Sequence, residues 1–266
     1  MPVSFESIQT LPSRAPDREY RYGDAPSQRV AVWRPVGGRA APAPTVVLLH
    51  GGCWLSQYGV DHVQPLATAL AASGFGVWAP EYRRLGEPGG GWPGTFEDVA
   101  RAVDLLKEGV DSALDPERVV LVGHSAGGHL ALWAAARSAF GPSHTQYSEA
   151  PLIPRGAIGL AAITDLVAYA AEAGSCPQAV LRLLGGTPAE QQARYRQASP
   201  ALLPRPVPLV LLQGSADPIV PPSQASAMPG ATVRLVDGAG HFDLIHPQTP
   251  AFEMLLEQLR RLLEGA

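Results

Sequence analysis

The stretch VVLVGHSAGGHLALWAAAR, residues 119–137, changes character at a single residue. Val119 to Val122 is an apolar, largely β-branched run of the kind that suits a buried strand. From Ala126 onward the chain is rich in Ala and Leu, which favour a helix. Ser125 stands at the junction, between Gly123 and Gly127, where the backbone must turn sharply and small residues relieve crowding. A strand that turns directly into a helix is half of a βαβ unit, so the stretch predicts a parallel sheet.

The flanking sequence repeats the alternation. RVAVWRP (29–35), TVVLLH (45–50) and GVWAPEY (76–82) read as strands, and the glycine- and proline-rich VGGRAAPAP separates the first two. DHVQPLATALAAS (61–73) reads as a helix, as does TFEDVARAVDLLKEG, where Phe96, Val99, Val103 and Leu106 share one face. AIGLAAI (157–163), PLVLLQG (208–214) and TVRLVDG (232–238) are further strands, and PAFEMLLEQLRRLLEG closes the chain as an amphipathic helix. Continuously apolar central strands fit a sheet covered by helices on both faces. The expectation is one α/β domain over residues 1–266, with a mostly parallel, doubly wound sheet. The segments 141–154 and 166–206 are the least regular and are candidate lid or pocket-wall insertions.

Bulk properties narrow the function. The chain is 46% hydrophobic and 17% charged, enough to bury a substantial core. A net charge of -4 without a Lys/Arg cluster excludes an electrostatic nucleic-acid footprint. There is no signal-type apolar core near the N-terminus and no run of 18 apolar residues, so neither a membrane partner nor export is expected, and the default location is cytoplasmic. Two cysteines, Cys53 and Cys176, imply no disulfide framework. Monomer and homodimer both remain open.

GHSAG satisfies G-x-S-x-G with a strand before it and a helix after it, the pattern that lifts a serine hydroxyl above a sheet as a nucleophile. A glycine-rich turn with a serine cap would look the same, so its partners decide. HGGCW (50–54) follows the strand TVVLLH, and there the amides of Gly51 and Gly52 can join that of Ala126 as an oxyanion hole. The base candidate is His241, in the glycine-bounded loop GAGHFDLIHP, with His246 as its rival. A metal site built from His241, His246 and Asp243 lacks a third convincing ligand. The acid candidate is Asp217, just beyond the strand PLVLLQG; Asp165 is the main rival, and Asp237 lies too near His241 in the chain. His124 and His129 flank Ser125 and read as structural. Cys53 reads as a small pocket-wall residue, Trp54 and Tyr58 as pocket or entrance residues, and Tyr82 as either that or an ordinary half-buried aromatic.

HGGCW, GHSAGG, SADPIVPP and GHFDLIHP occur in the order found in the α/β-hydrolase superfamily, and the chain resembles that superfamily over nearly its whole length. Within it, the motifs are similar to the esterase/lipase branch that holds hormone-sensitive-lipase-like enzymes, feruloyl-esterase-like enzymes and kynurenine formamidases. EYRR (81–84) resembles a strand-end motif of that branch. Cys53 stands where the hormone-sensitive-lipase type has a third glycine, and His124 replaces its acidic residue, which tilts the resemblance toward the other two groups. The resemblance implies a cofactor-independent serine hydrolase, with Ser125, His241 and Asp217 as a triad, a small-molecule ester substrate and a small or absent lid. Arylformamidase chemistry would use the same residues, and a non-catalytic binding protein on this scaffold is the reading from another class.

Overall fold

The computed structural model describes residues 2–37 and 42–264. The linker positions 38–41 and Gly265, the last residue of the expected closing helix, lie outside the described residues. Eight strands form one sheet: β1 (Arg18–Arg21), β2 (Arg29–Trp33), β3 (Ala43–Leu49), β4 (Gly76–Pro80), β5 (Leu114–His124), β6 (Gly156–Leu160), β7 (Leu209–Gly214) and β8 (Thr232–Val236). Their order is β1-β2-β4-β3-β5-β6-β7-β8. The β1–β2 and β2–β4 pairs are antiparallel and every other pair is parallel.

The helices are α1 (Phe5–Gln9), α2 (Gln64–Ala72), α3 (Gly94–Leu105), α4 (Ala126–Ala135), α5 (Leu166–Ala170), α6 (Ser175–Leu184), α7 (Gln192–Ala198), α8 (Pro222–Ser226) and α9 (Pro250–Glu264). They bury two apolar layers, one on each face of the sheet. Ile8 of α1 and the apolar faces of α2 and α9 pack under one face, with Val46, Leu48, Val120 and Val122. α3, α4 and the helices of residues 166–206 cover the other face, with Val47, Leu49 and Leu121. Val120 and Leu121 thus point to opposite layers, as the period of a strand requires. Phe96, Val99, Val103 and Leu106 are all buried, as their helical spacing predicts.

The elements that differ from expectation have local reasons. Residues 61–63 form a 3₁₀ turn, Val60–Val63, because α2 begins only at Gln64, with Pro65 in its first turn where a missing N–H costs little. β1 has the sequence REYR and is mostly exposed at the sheet edge, so it carries no apolar alternation to read. The region 166–206 packs against the sheet. Cys176, Leu183, Leu184, Tyr195 and Ala198 from it are buried in the core.

Two expectations require correction. Cys53 and Cys176 form a disulfide, with their Cα atoms 5.1 Å apart. Spacing in the sequence carried no sign of it, because 123 positions separate the two and only the fold brings α6 against the HGGCW loop. Trp54 and Tyr82 are fully buried core residues, not pocket or entrance residues. The Trp54 indole N–H donates to His129 Nδ1 at 3.3 Å, and Tyr82 stacks on His50 with ring centres 4.4 Å apart.

Thiol titration of the denatured, unreduced protein should therefore find no reactive thiol, and reduction should release both. Cys176→Ser should lower stability by about 2–5 kcal/mol, the usual cost of losing a long-loop disulfide. Two titratable thiols before reduction would contradict the bond.

Candidate active site

β5 ends at His124, and Ser125 enters α4 with φ 56° and ψ -119°. A residue with a side chain held at positive φ costs roughly 1–3 kcal/mol and persists only where its surroundings over-determine it. Here the Ser125 N–H donates to the Leu160 carbonyl at 2.8 Å, and the Ser125 carbonyl accepts from His129 N–H at 3.0 Å. The flanking glycines are needed for close approach. A Cβ on Gly123 would lie 2.1 Å from the Gly127 carbonyl oxygen, and one on Gly127 would lie 2.1 Å from that of Leu49.

His241 follows β8 and is nearly buried. Its Nδ1–H donates to Asp217 Oδ2 at 2.7 Å. Asp217, in the loop after β7, accepts from the Ile219 and Val220 N–H groups through Oδ1, at 2.8 and 2.9 Å. The carboxylate is thus fixed by backbone donors on one oxygen and offers the other to the imidazole, the arrangement that holds a histidine with its Nε2 lone pair free. The neighbouring His124 adds a second restraint. Its Nε2–H donates to the His241 carbonyl at 3.0 Å, and the two rings lie 4.5 Å apart. Burial, then the proximity of His241, pushes the His124 pKa well below its ordinary value, so the ring is neutral. A hydrogen bond from Ser125 Oγ to His241 Nε2 is not among those formed by the described residues; such pairs often tighten only with substrate bound.

The loop after β3 completes the arrangement. Gly51 packs directly on the serine: a Cβ added to it would meet the Ser125 Cβ at 3.2 Å. Gly52 has φ 99°, and a side chain there would collide with Tyr58. No turn or loop hydrogen bond among the described residues uses the Gly51 or Gly52 N–H, so both amides are available as donors beside the helix N-terminus at Ala126.

A buried ion cluster sets this loop. His50 Nδ1 lies 2.8 Å from the Gly51 carbonyl oxygen, and its Nε2 lies 2.7 Å from Glu81 Oε1. Arg84 reaches the same Glu81 oxygen at 2.7 Å, and the Val60 N–H reaches the other at 3.0 Å. Burial alone would raise the Glu81 pKa, but His50, Arg84 and the Val60 amide together pull it down to about 2. Tyr82 OH donates to the His50 carbonyl at 2.7 Å. These contacts give EYRR a concrete role: the strand end anchors the loop that precedes it.

The other candidates fall elsewhere. Asp165 caps α5 by accepting from Val167 and Ala168 N–H, Asp237 accepts from Ser215 Oγ, and Asp243 accepts from Val3 and Gly240 N–H. His246 accepts from Gln248 N–H. No group of three potential metal-binding side chains occurs among the described residues. Cys53 is tied up in the disulfide. A cleft of about 60 Å³ opens beside His241, lined by Phe5, Gly52, Tyr58, His62, His124, Ile219 and Phe242. Of the three expected pocket residues only Tyr58 lines it, and no residue of 141–154 or 166–206 does. Phe5, His62, Ile219 and Phe242 were not picked out from sequence, since their isolated positions carry no motif.

The buried groups impose a pH dependence on stability. Burial, then the nearby His50, lowers His62 from 6.5 to about 3. Between those values the unfolded chain binds a proton at His62 that the folded chain does not, so stability must fall as pH falls from 6.5 toward 3. Glu81 acts in the same direction at lower pH: its contribution, present above 4.5, is lost as pH falls toward about 2. Urea midpoints should drop between pH 6.5 and 4.5, and His62→Leu should flatten that slope. An unchanged slope in the variant would contradict the assignment.

Comparison with known proteins agrees with this architecture. The BD-FAE family model matches residues 32–231. The chain is 28% identical to esterase LipC of Mycobacterium tuberculosis (strain ATCC 25618 / H37Rv), over 92% of this chain and 65% of that protein. It spans less than two thirds of the length of the curated relatives it matches. Among solved structures, esterase B from Lactobacillus Rhamnosis (HN001) superposes with a TM-score of 0.78 at 23% identity, covering 97% of this chain and 89% of that one. Thermogutta terrifontis esterase 2 phosphonylated by sarin superposes with a TM-score of 0.71 at 20% identity, covering 93% and 94%. The chain belongs to the BD-FAE family and has the α/β-hydrolase fold.

Proposed function

We propose that this BD-FAE family member is a serine hydrolase that cleaves carboxylic esters of small substrates, with Ser125 as nucleophile, His241 as general base and acid, and Asp217 as the residue that orients His241. The observation that carries the reading is the 2.7 Å hydrogen bond from His241 to Asp217, with His241 also bonded to His124, the neighbour of a serine held at positive φ at the head of a helix. The kinship to esterase LipC supports an ester as substrate.

In this mechanism His241 Nε2 takes the Ser125 hydroxyl proton as Oγ bonds to the ester carbonyl carbon. The carbonyl π electrons move to oxygen, where the Gly51, Gly52 and Ala126 amides receive the negative charge. Collapse expels the alkoxide, which leaves as the alcohol after taking the proton from His241. Water then repeats the sequence on the acyl-enzyme, with His241 as base and Ser125 as leaving group, and releases the carboxylic acid. Asp217 stays ionised and stabilises the imidazolium that forms at each step. Every step uses groups of this chain, the ester and water.

Ser125→Ala should abolish turnover with little loss of fold stability. Asp217→Asn should reduce kcat by about 10⁴-fold, because the imidazole loses its oriented tautomer. Asp165→Asn should leave kcat unchanged, and the opposite result for the two aspartates would mean that the acid is misassigned. Turnover of p-nitrophenyl esters, feruloyl esters and N-formylkynurenine by the wild type separates ester from amide chemistry. Preferred cleavage of N-formylkynurenine would replace the ester reading with an arylformamidase, and turnover of none of them would favour a binding protein.

A further inference from the structure

The short helix α1 packs over the candidate site from the far end of the chain. Ser4 caps it by accepting from Ser7 N–H, and Ile8 anchors it with a fully buried side chain. Its first residue, Phe5, lines the cleft beside His241. The Phe5 ring packs on three others, Tyr58 at 5.6 Å, His62 at 5.8 Å and Phe242 at 5.4 Å between ring centres. Phe242 in turn meets the His241 ring edge-on at 5.1 Å.

This helix is tied to the histidine loop through one carboxylate. Asp243 Oδ2 accepts from Val3 N–H at 2.9 Å and from Gly240 N–H at 3.0 Å. The position of Phe5 is therefore set by the same group that shapes the turn before His241. A second depression, of about 180 Å³, shares Phe5, Tyr58 and His62 with the cleft and adds Gln9, Gln57 and Asp61 to its lining. We read those three shared residues as the boundary between the two spaces.

We propose that Phe5 is a specificity-determining residue, the wall that closes the acyl end of the cleft and restricts the enzyme to short acyl groups. The inference rests on the ester-hydrolase reading given above. Roughly 10–15 Å³ seats one water-sized group, so a cleft of about 60 Å³ holds about four to six. That matches the acyl part of a butyrate or shorter ester. The acyl group is assigned to this inner space because the alcohol must leave for solvent before water attacks, and the inner space is the smaller and more enclosed of the two. One methylene too many in a closed apolar pocket changes kcat/KM by about 10- to 200-fold, so the wall should set a steep cutoff in chain length.

The test measures kcat/KM for p-nitrophenyl acetate, butyrate, hexanoate and octanoate with wild type, Phe5→Ala and Phe5→Trp. The wild type should fall steeply beyond butyrate. Phe5→Ala joins the inner cleft to the outer depression, so its octanoate-to-acetate ratio should rise at least tenfold. Phe5→Trp should lower butyrate relative to acetate. If Phe5→Ala has no cooperative thermal transition, Phe5→Leu is read in its place, with a smaller rise in the same ratio. An unchanged chain-length profile in the folded variants, with an active wild type, overturns the wall and leaves the hydrolase reading standing. A wild type that hydrolyses none of the four esters removes the short-chain ester reading and this inference with it.

Discussion

The constraint on which the rest depends is the backbone at Ser125, held at φ 56° between a buried strand and a buried helix. A strained residue of this kind relaxes unless its neighbours leave it nowhere to go. The neighbours here are backbone atoms: the Leu160 carbonyl on one side, the His129 amide on the other, and the Leu49 and Gly127 carbonyls packed where side chains at 127 and 123 would stand. The strands β3, β5 and β6 supply that packing, so the central sheet acts as the clamp that presents the hydroxyl. Core and site are one mechanical unit.

Around that point the molecule uses buried polar chemistry to fix loops that would otherwise move. The loop after β3 is held by His50, Glu81 and Arg84, the loop after β7 by Asp217 on two backbone amides, and the loop after β8 by the His124 ring and by Asp243. Removing one partner from a buried charge pair leaves an uncompensated charge and costs about 3–5 kcal/mol, so these loops are costly to displace. The Cys53–Cys176 bond adds a covalent tie from the residue after Gly52 to α6. On the proposed mechanism such rigidity is useful, because donors already aimed at the developing charge need not reorganise during reaction.

Much of this was legible in sequence where physics leaves a periodic or motif-like trace. The alternation of β-branched runs with helical faces marked seven of the eight strands and the sheet's parallel character, and GHSAG, HGGCW, SADPIVPP and GHFDLIHP marked four strand ends that the fold gathers at one edge. Asp217 was already preferred to Asp165 from its place in the chain, though both follow strands; in the fold Asp217 bonds to His241 and Asp165 caps α5. What stayed hidden depends on distant packing: the disulfide, the burial of Trp54 and Tyr82, and the approach of Phe5 to a histidine 236 positions away. β1 escaped notice because an exposed, charged edge strand carries no apolar pattern.

The central claim is that the residue-125 hydroxyl is activated by the residue-241 imidazole. The most direct measurement is covalent labelling by a fluorophosphonate, with the modified peptide identified by mass spectrometry in wild type and in His241→Ala. The account predicts one label per chain, on Ser125, formed rapidly in the wild type and slowed by several orders of magnitude in the variant. Labelling at another residue, or an equal rate at Ser125 without the imidazole, would contradict it.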